Sequence, residues 1–134
     1  MDKQFTLTKN EREIMELLWS VDRPLSRSEI IELSPDRSWK SSSIHILLNQ
    51  LLEKGAIIVD GFVKTGKNYG RTFSASISAA DYQIMQFKQS AGYLQSKSSA
   101  ITGLVSLLVE DDGVDAETLD ELDAILKERR KHLK

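Results

Sequence analysis

Cysteine is absent from all 134 residues, which excludes a disulfide framework, a thiolate metal site and a cysteine nucleophile. The only prolines are Pro24 and Pro35, each in a short polar stretch where a helix has to stop. No apolar run approaches the roughly 20 residues that span a bilayer. The opening MDKQFTLTKN has no apolar core of the kind a secretory signal needs, so a cytoplasmic protein without membrane insertion is expected. His45 and His132 stand far apart, and no glycine-rich phosphate loop or metal-ligand spacing accompanies them. Neither catalysis nor a cofactor or metal is therefore expected. The run from Glu110 to Asp123 holds eight acids and no base, but without the alternating ligands of a calcium loop.

A basic excess is also missing. Lys and Arg total 18 against 20 Asp and Glu, for a net charge of −2, so any nucleic-acid site has to be a local patch. Residues 1–75 carry eleven bases and ten acids, and residues 76–134 carry seven and ten. Locally the contrast is sharper, because 37–52 and 61–75 contain bases and no acid.

Forty per cent hydrophobic and 28% charged residues suit one ordinary domain, or a small domain with an appendage. Thr8 and Glu11 form the capping box of a first helix, with Ile14, Leu17 and Leu18 on its buried face and Met15 and Trp19 beside it. Trp19 reads as core or edge packing. Asp22-Arg23-Pro24 ends that helix. Ser26 and Glu29 then open a second, whose apolar side is Ile30, Ile31 and Leu33, and Ser34-Pro35-Asp36 stops it after about two turns.

The most informative stretch is 39–55, WKSSSIHILLNQLLEKG. Ile44, Leu47, Leu48, Leu51 and Leu52 recur at helical spacing, and Gly55 stands where a left-handed C-terminal residue is wanted. The other face carries Ser42, Ser43, His45, Ile46, Asn49 and Gln50. These side chains are small, amide or apolar, and with Arg37 and Lys40 nearby they suit a helix lying in a DNA groove. The plainer alternative is a buried helix whose outer face is merely short and polar.

Beyond Gly55 the period changes to that of strands. Ala56–Val59 with Phe62-Val63, then Tyr69, Arg71 and Phe73, flank the turn composition Thr65-Gly66-Lys67-Asn68. A two-stranded hairpin is expected, with Lys64 and Lys67 at its tip and Arg71 close by. Loop solvation would explain either lysine alone. Helix, short helix, helix, hairpin is the order of a winged helix-turn-helix, in which the third helix enters the major groove and the hairpin touches phosphates.

From Ser78 helices return. Ile84, Phe87, Ala91, Leu94 and Ile101 make an approximate seam, with a break expected at 96–99. Ile101, Leu104, Val105 and Leu108 form a further apolar face. After a turn at Glu110–Gly113, Asp115 caps a last helix with Leu119, Leu122, Ile125 and Leu126 inside. Its basic end, Lys127 to Lys131, is what the helix dipole favours and needs no DNA to explain it. These faces are too thin to cover one another, so a homodimer is expected. Its interface is assigned to Ile84, Phe87, Leu94, Ile101, Leu104, Leu108, Leu119, Leu122 and Leu126. The fold class is thus mainly α with a small β-hairpin: a winged helix-turn-helix over 1–77 and a helical dimerisation domain over 78–134.

Taken together, LTKNEREIMELLW (7–19), SSIHILLNQLLEKGAI (42–57) and YGRTF (69–73) resemble the penicillinase-repressor family over about residues 7–127. The resemblance implies a dimeric winged-helix repressor on double-stranded, pseudo-palindromic operator DNA, with a β-lactam-resistance operon as the candidate target. The candidate DNA-contacting residues, read from the outward helix face and the wing, are Lys40, Ser42, Ser43, His45, Ile46, Asn49, Lys64, Lys67 and Arg71. Departures are plain. The family's Thr-Ile-x-Thr-Leu reads Ser43-Ile44-His45-Ile46-Leu47 here, its usual Arg is Gln50, and the wing's usual Gly-Arg-x-x-x-Tyr is replaced by Gly70-Arg71 followed by Phe73. The resemblance further implies inactivation through a membrane sensor and proteolysis at an Asn-Phe pair. That pair aligns with Leu107-Leu108 and occurs nowhere in the chain. The cysteine cluster of the copper-responsive branch is likewise missing. A competing expectation is a winged-helix protein-interaction module that does not read DNA sequence.

Overall fold

A computed structural model describes residues 4–65, 68–111 and 113–133. The chain forms two compact units, one extending to Phe87 and the other starting at Lys88.

In the first unit, α1 (Lys9–Val21) begins as its capping box dictates. The Glu11 N–H donates to the Thr8 hydroxyl at 3.3 Å, and the Thr8 N–H donates to the Glu11 carboxylate at 2.8 Å. Ile14, Met15 and Leu18 are buried along one side. The helix ends at Asp22 in the left-handed conformation (φ 58°), its N–H returning to the Leu18 carbonyl. A two-residue strand, β1 (Leu25–Ser26), leads straight into α2 (Arg27–Glu32), which Ser26 and Glu29 cap reciprocally. Ile30 is buried, whereas Leu33, expected on the apolar side, is 44% exposed because it already lies past the helix end.

The helix expected over 39–55 is shorter. Trp39 is buried ahead of it, a 3-10 turn occupies Ser41–Ser43, and α3 runs from Ile44 to Lys54. Neither Lys40 nor Ser43 supplies a side-chain cap, so nothing pulls the α-helical start further upstream. Gly55 (φ 80°) closes the helix, with its N–H on the Leu52 carbonyl and that of Ala56 on Leu51. This pairing satisfies the last carbonyls and turns the chain at once into the sheet.

The sheet has three antiparallel strands in the order β1-β3-β2, one more than the expected hairpin. The extra strand is β1, which pairs Leu25 with Phe73 and Ser26 with Thr72. A two-residue strand has too few residues to show an alternating pattern. β2 (Ile57–Thr65) and β3 (Asn68–Ala75) run in register from Ile57↔Ala75 to Thr65↔Asn68, apart from a bulge between Val59 and Phe62. There Asp60 and Gly61 oppose the single residue Thr72, and Gly61 takes φ 124°, which favours glycine.

After the sheet comes α4 (Ala79–Lys88). Its Tyr82 is 1% exposed and belongs to the same core as Ile14, Leu25, Ile30, Leu51 and Phe73. The Tyr82 hydroxyl accepts the Leu7 N–H at 3.0 Å, and its ring lies 5.9 Å from those of Phe5 and Trp19. The Trp19 indole in turn donates to the Ile77 carbonyl at 2.8 Å, an edge-packing role as expected. The expected division fell between 77 and 78. The compact unit runs on to Phe87 because this tyrosine packs into it.

The second unit comprises α5 (Ala91–Gln95), α6 (Lys97–Asp111) and α7 (Ala116–Lys131). Ser96 breaks the chain between α5 and α6 in an extended conformation. The Asp115 carboxylate caps α7 by accepting the Thr118 N–H at 2.8 Å.

One ion pair crosses the first unit. Glu11 is 1% exposed, and its carboxylate receives the Lys54 ammonium as well as the Thr8 N–H. Lys54 also donates to the Thr6 carbonyl at 2.8 Å. Burial pushes the Glu11 carboxyl up, but Lys54 and Thr8 together outweigh it and hold it below its usual value. A depressed carboxyl stabilises the fold above the ordinary carboxylate range, and that contribution is lost as pH falls through the lowered value. Lys54→Met should therefore cost about 3 kcal/mol at neutral pH, since it strands a buried charge. Glu11→Gln should flatten the acid limb of the stability curve. Urea unfolding from neutral to acid pH measures both. An unchanged acid limb in Glu11→Gln would place the acid sensitivity elsewhere.

Candidate nucleic-acid interface

The core contacts of α3 decide what it offers to solvent. Ile44, Leu47, Leu48 and Leu51 are buried, which leaves His45, Ile46, Asn49 and Gln50 exposed on the opposite side. Ile46 is 61% exposed. Ahead of the helix, Lys40 and Ser42 are exposed and Ser43 is half-buried in the 3-10 turn. No acid occurs in the first turn of α3.

The loop before α3 is held from two directions. The Ser38 N–H donates to Glu13 at 2.9 Å and its hydroxyl donates to the same carboxylate, which lowers the Glu13 carboxyl. Arg37, one of the bases that made 37–52 look suited to DNA, is engaged internally. Its guanidinium donates to the Ile31 and Ser34 carbonyls at 3.3 and 3.0 Å and lies 5.2 Å from the Trp39 ring centre.

In the wing, Lys64 is exposed near the end of β2, while Lys67 lies outside the described residues. Arg71 is exposed on β3, paired in register with Phe62, and its guanidinium sits 5.4 Å from the Phe73 ring. Phe62 is 69% exposed. An exposed aromatic beside an arginine is a feature the sequence reading did not single out, since simple strand alternation does not tell which residues of 57–65 face solvent. The bulge at Asp60-Gly61 resets that alternation.

Arg27 was overlooked as well. It is the first residue of α2, is exposed, and places Nη1 2.7 Å from His45 Nε2. Eighteen residues separate the two in sequence, and no local pattern signals such a contact. A surface cleft of about 540 Å³ elsewhere in this unit is lined by Trp19, Asp22, Arg23, Asp60 and Ser74 among others. Arg23 is already paired with Glu29 at 3.0 Å and Asp60 with the Ser74 hydroxyl at 2.6 Å. No three His, Asp or Glu side chains cluster as a metal site requires among the described residues. Among them, too, no helix is long and apolar enough to cross a membrane.

A winged helix-turn-helix that presents an acid-free polar face on its third helix has the build of a DNA-binding transcriptional regulator. The chain belongs to the penicillinase repressor family, whose sequence profile matches residues 7–128. That family is one of DNA-binding transcriptional repressors. The penicillinase repressor of Bacillus licheniformis is 25% identical over all of this chain and 99% of its own length. An uncharacterised 16.5 kDa protein of Latilactobacillus sakei is 34% identical over 80 residues, which cover 60% of this chain and half of that protein.

Because Arg37 bridges two carbonyls and stacks on Trp39, Arg37→Met should lower stability by about 2 kcal/mol. The salt dependence of DNA binding should stay unchanged. Thermal melts and salt titrations separate the two effects, and a flatter salt dependence would mark Arg37 as a phosphate contact instead.

Proposed function

We propose that the protein is a dimeric, sequence-specific repressor of a pseudo-palindromic operator, with a β-lactam-resistance operon as the candidate target. The observation that carries this reading is the outward face of α3, where Ile46 and Asn49 are exposed with no acid in the first turn. An amide can bond adenine through two atoms, and an aliphatic side chain can cover a thymine methyl. Ser42, Ser43 and His45 extend the same base-reading surface. Lys40, Lys64 and Arg71 supply phosphate contacts, which set position without reading sequence.

Asn49→Ala and Ile46→Ala should each cost roughly 1–3 kcal/mol on a selected site and far less on random duplex. Lys64→Ala and Arg71→Ala should weaken all duplexes and each lower the salt slope by about 1. Selection from a random duplex library followed by salt titrations measures this. Equal losses of Asn49→Ala on selected and random DNA would favour the competing interaction module, which the exposed Phe62 otherwise keeps open.

The dimer reading is supported by what the second unit leaves uncovered. Leu94 is 72% exposed, Leu126 63% and Leu108 48%, and Ile101, Leu104 and Leu119 are each at least 40%. Leu122 is half-buried, while on α4 Ile84 is exposed and Phe87 half-buried. Water-exposed leucines at this density are buried by association, and a two-fold arrangement pairs like with like. Ending the chain after Gln89 should keep Tyr82 in its core, leave a folded monomer, and weaken operator binding strongly. Sedimentation of the shortened chain as a dimer would move the interface into the winged helix. Any proteolytic release would have to use a bond other than an Asn-Phe pair, which the chain lacks.

A further inference from the structure

His45 and Arg27 carry a consequence for which base the recognition helix reads. Arginine can only donate, and it keeps its proton throughout the pH range of proteins. The 2.7 Å contact from Arg27 Nη1 to His45 Nε2 therefore needs Nε2 to be the acceptor. In the neutral ring the proton then sits on Nδ1. No hydrogen bond occupies Nδ1 among the described residues, and both side chains are exposed. Arg27 makes no ion pair among those residues either, so no carboxylate competes for it.

We propose that Arg27 is a positioning residue that holds His45 as the Nδ1–H tautomer, so that His45 offers the major groove a donor and selects guanine. This rests on the operator-binding reading above. With Nε2 occupied, the ring has one polar atom left, and that atom donates. Guanine presents two acceptors, O6 and N7, and no donor. Thymine presents the single acceptor O4 beside its methyl, adenine sets an amino donor beside N7, and cytosine presents only an amino donor, so a lone donor finds its most open target at guanine. A histidine free to switch tautomers would accept from those amino groups as readily as it donates to guanine. The arginine removes that choice. Arg27 does so from the first turn of α2, outside the helix that reads the bases, so the preference is distributed over both helices of the helix-turn-helix.

Two measurements on the full-length protein test this. Long-range proton–nitrogen NMR at pH 8 should show the Nδ1–H tautomer at His45 in the free wild type, shifting toward Nε2–H in Arg27→Met. Selection from a random duplex library should then show a guanine position whose preference is lost in His45→Ala. In Arg27→Met that preference should fall roughly tenfold, the scale of one base contact, with other positions unchanged. A wild-type ring held as Nε2–H overturns the inference, as does an undiminished guanine preference in Arg27→Met. A wild type that enriches no sequence at all overturns the operator reading, and this inference with it.

Discussion

The winged helix depends on where α3 points, and a buried carboxylate fixes one end of that helix. Glu11 belongs to the first turn of α1 and Lys54 to the last turn of α3, and the lysine reaches a buried carboxylate from a half-buried position. The Thr8 N–H shares the carboxylate, and the Thr6 carbonyl shares the ammonium, so both charges have further hydrogen-bond partners. An unpaired charge there would be costly, which makes alternative packings of α3 against α1 unfavourable. A purely apolar contact would hold the two helices together with less directional preference. The exposed face of α3 inherits its aim from this joint.

A second tie acts from the sheet side. Tyr82 fills the core from α4 and satisfies the Leu7 N–H, while Gln86 donates to the Phe5 carbonyl at 3.0 Å. The residues ahead of α1 are thus held from both α3 and α4. A load applied to α4 would reach the strand of chain that also receives Lys54. In this way the helix that leaves the winged helix is mechanically joined to α3, through side chains buried or half-buried in one core.

Much of this was legible from local rules. Both capping boxes, the left-handed Gly55, the apolar stripe Ile44–Leu51 and the break at Ser96 appear where short-range pattern placed them. The outward face of α3 followed from that stripe by elimination. What escaped the sequence was non-local. The strand Leu25–Ser26 is too short for periodicity and exists because β3 offers it partners. Trp39 and Arg37 looked like the start of a basic recognition helix, yet they pack and bond within the loop. Tyr82 stood in a stretch whose apolar residues suggested a dimer seam, and its partners lie about 75 residues away. Arg27 and His45 meet through tertiary structure alone.

The bulge at Asp60-Gly61 has a consequence for the protein in a crowded cell. β2 is the long edge strand of the sheet, and its Ile58, Val59, Phe62 and Val63 are all at least 38% exposed. A straight strand of that composition would be a template for other chains to add to, strand upon strand. The extra residue interrupts the ladder of backbone donors and acceptors halfway along, and the local twist bends the edge away from flat. Asp60 places a charge at the same point. The wing can therefore stay apolar on its exposed side without seeding fibres of its own kind.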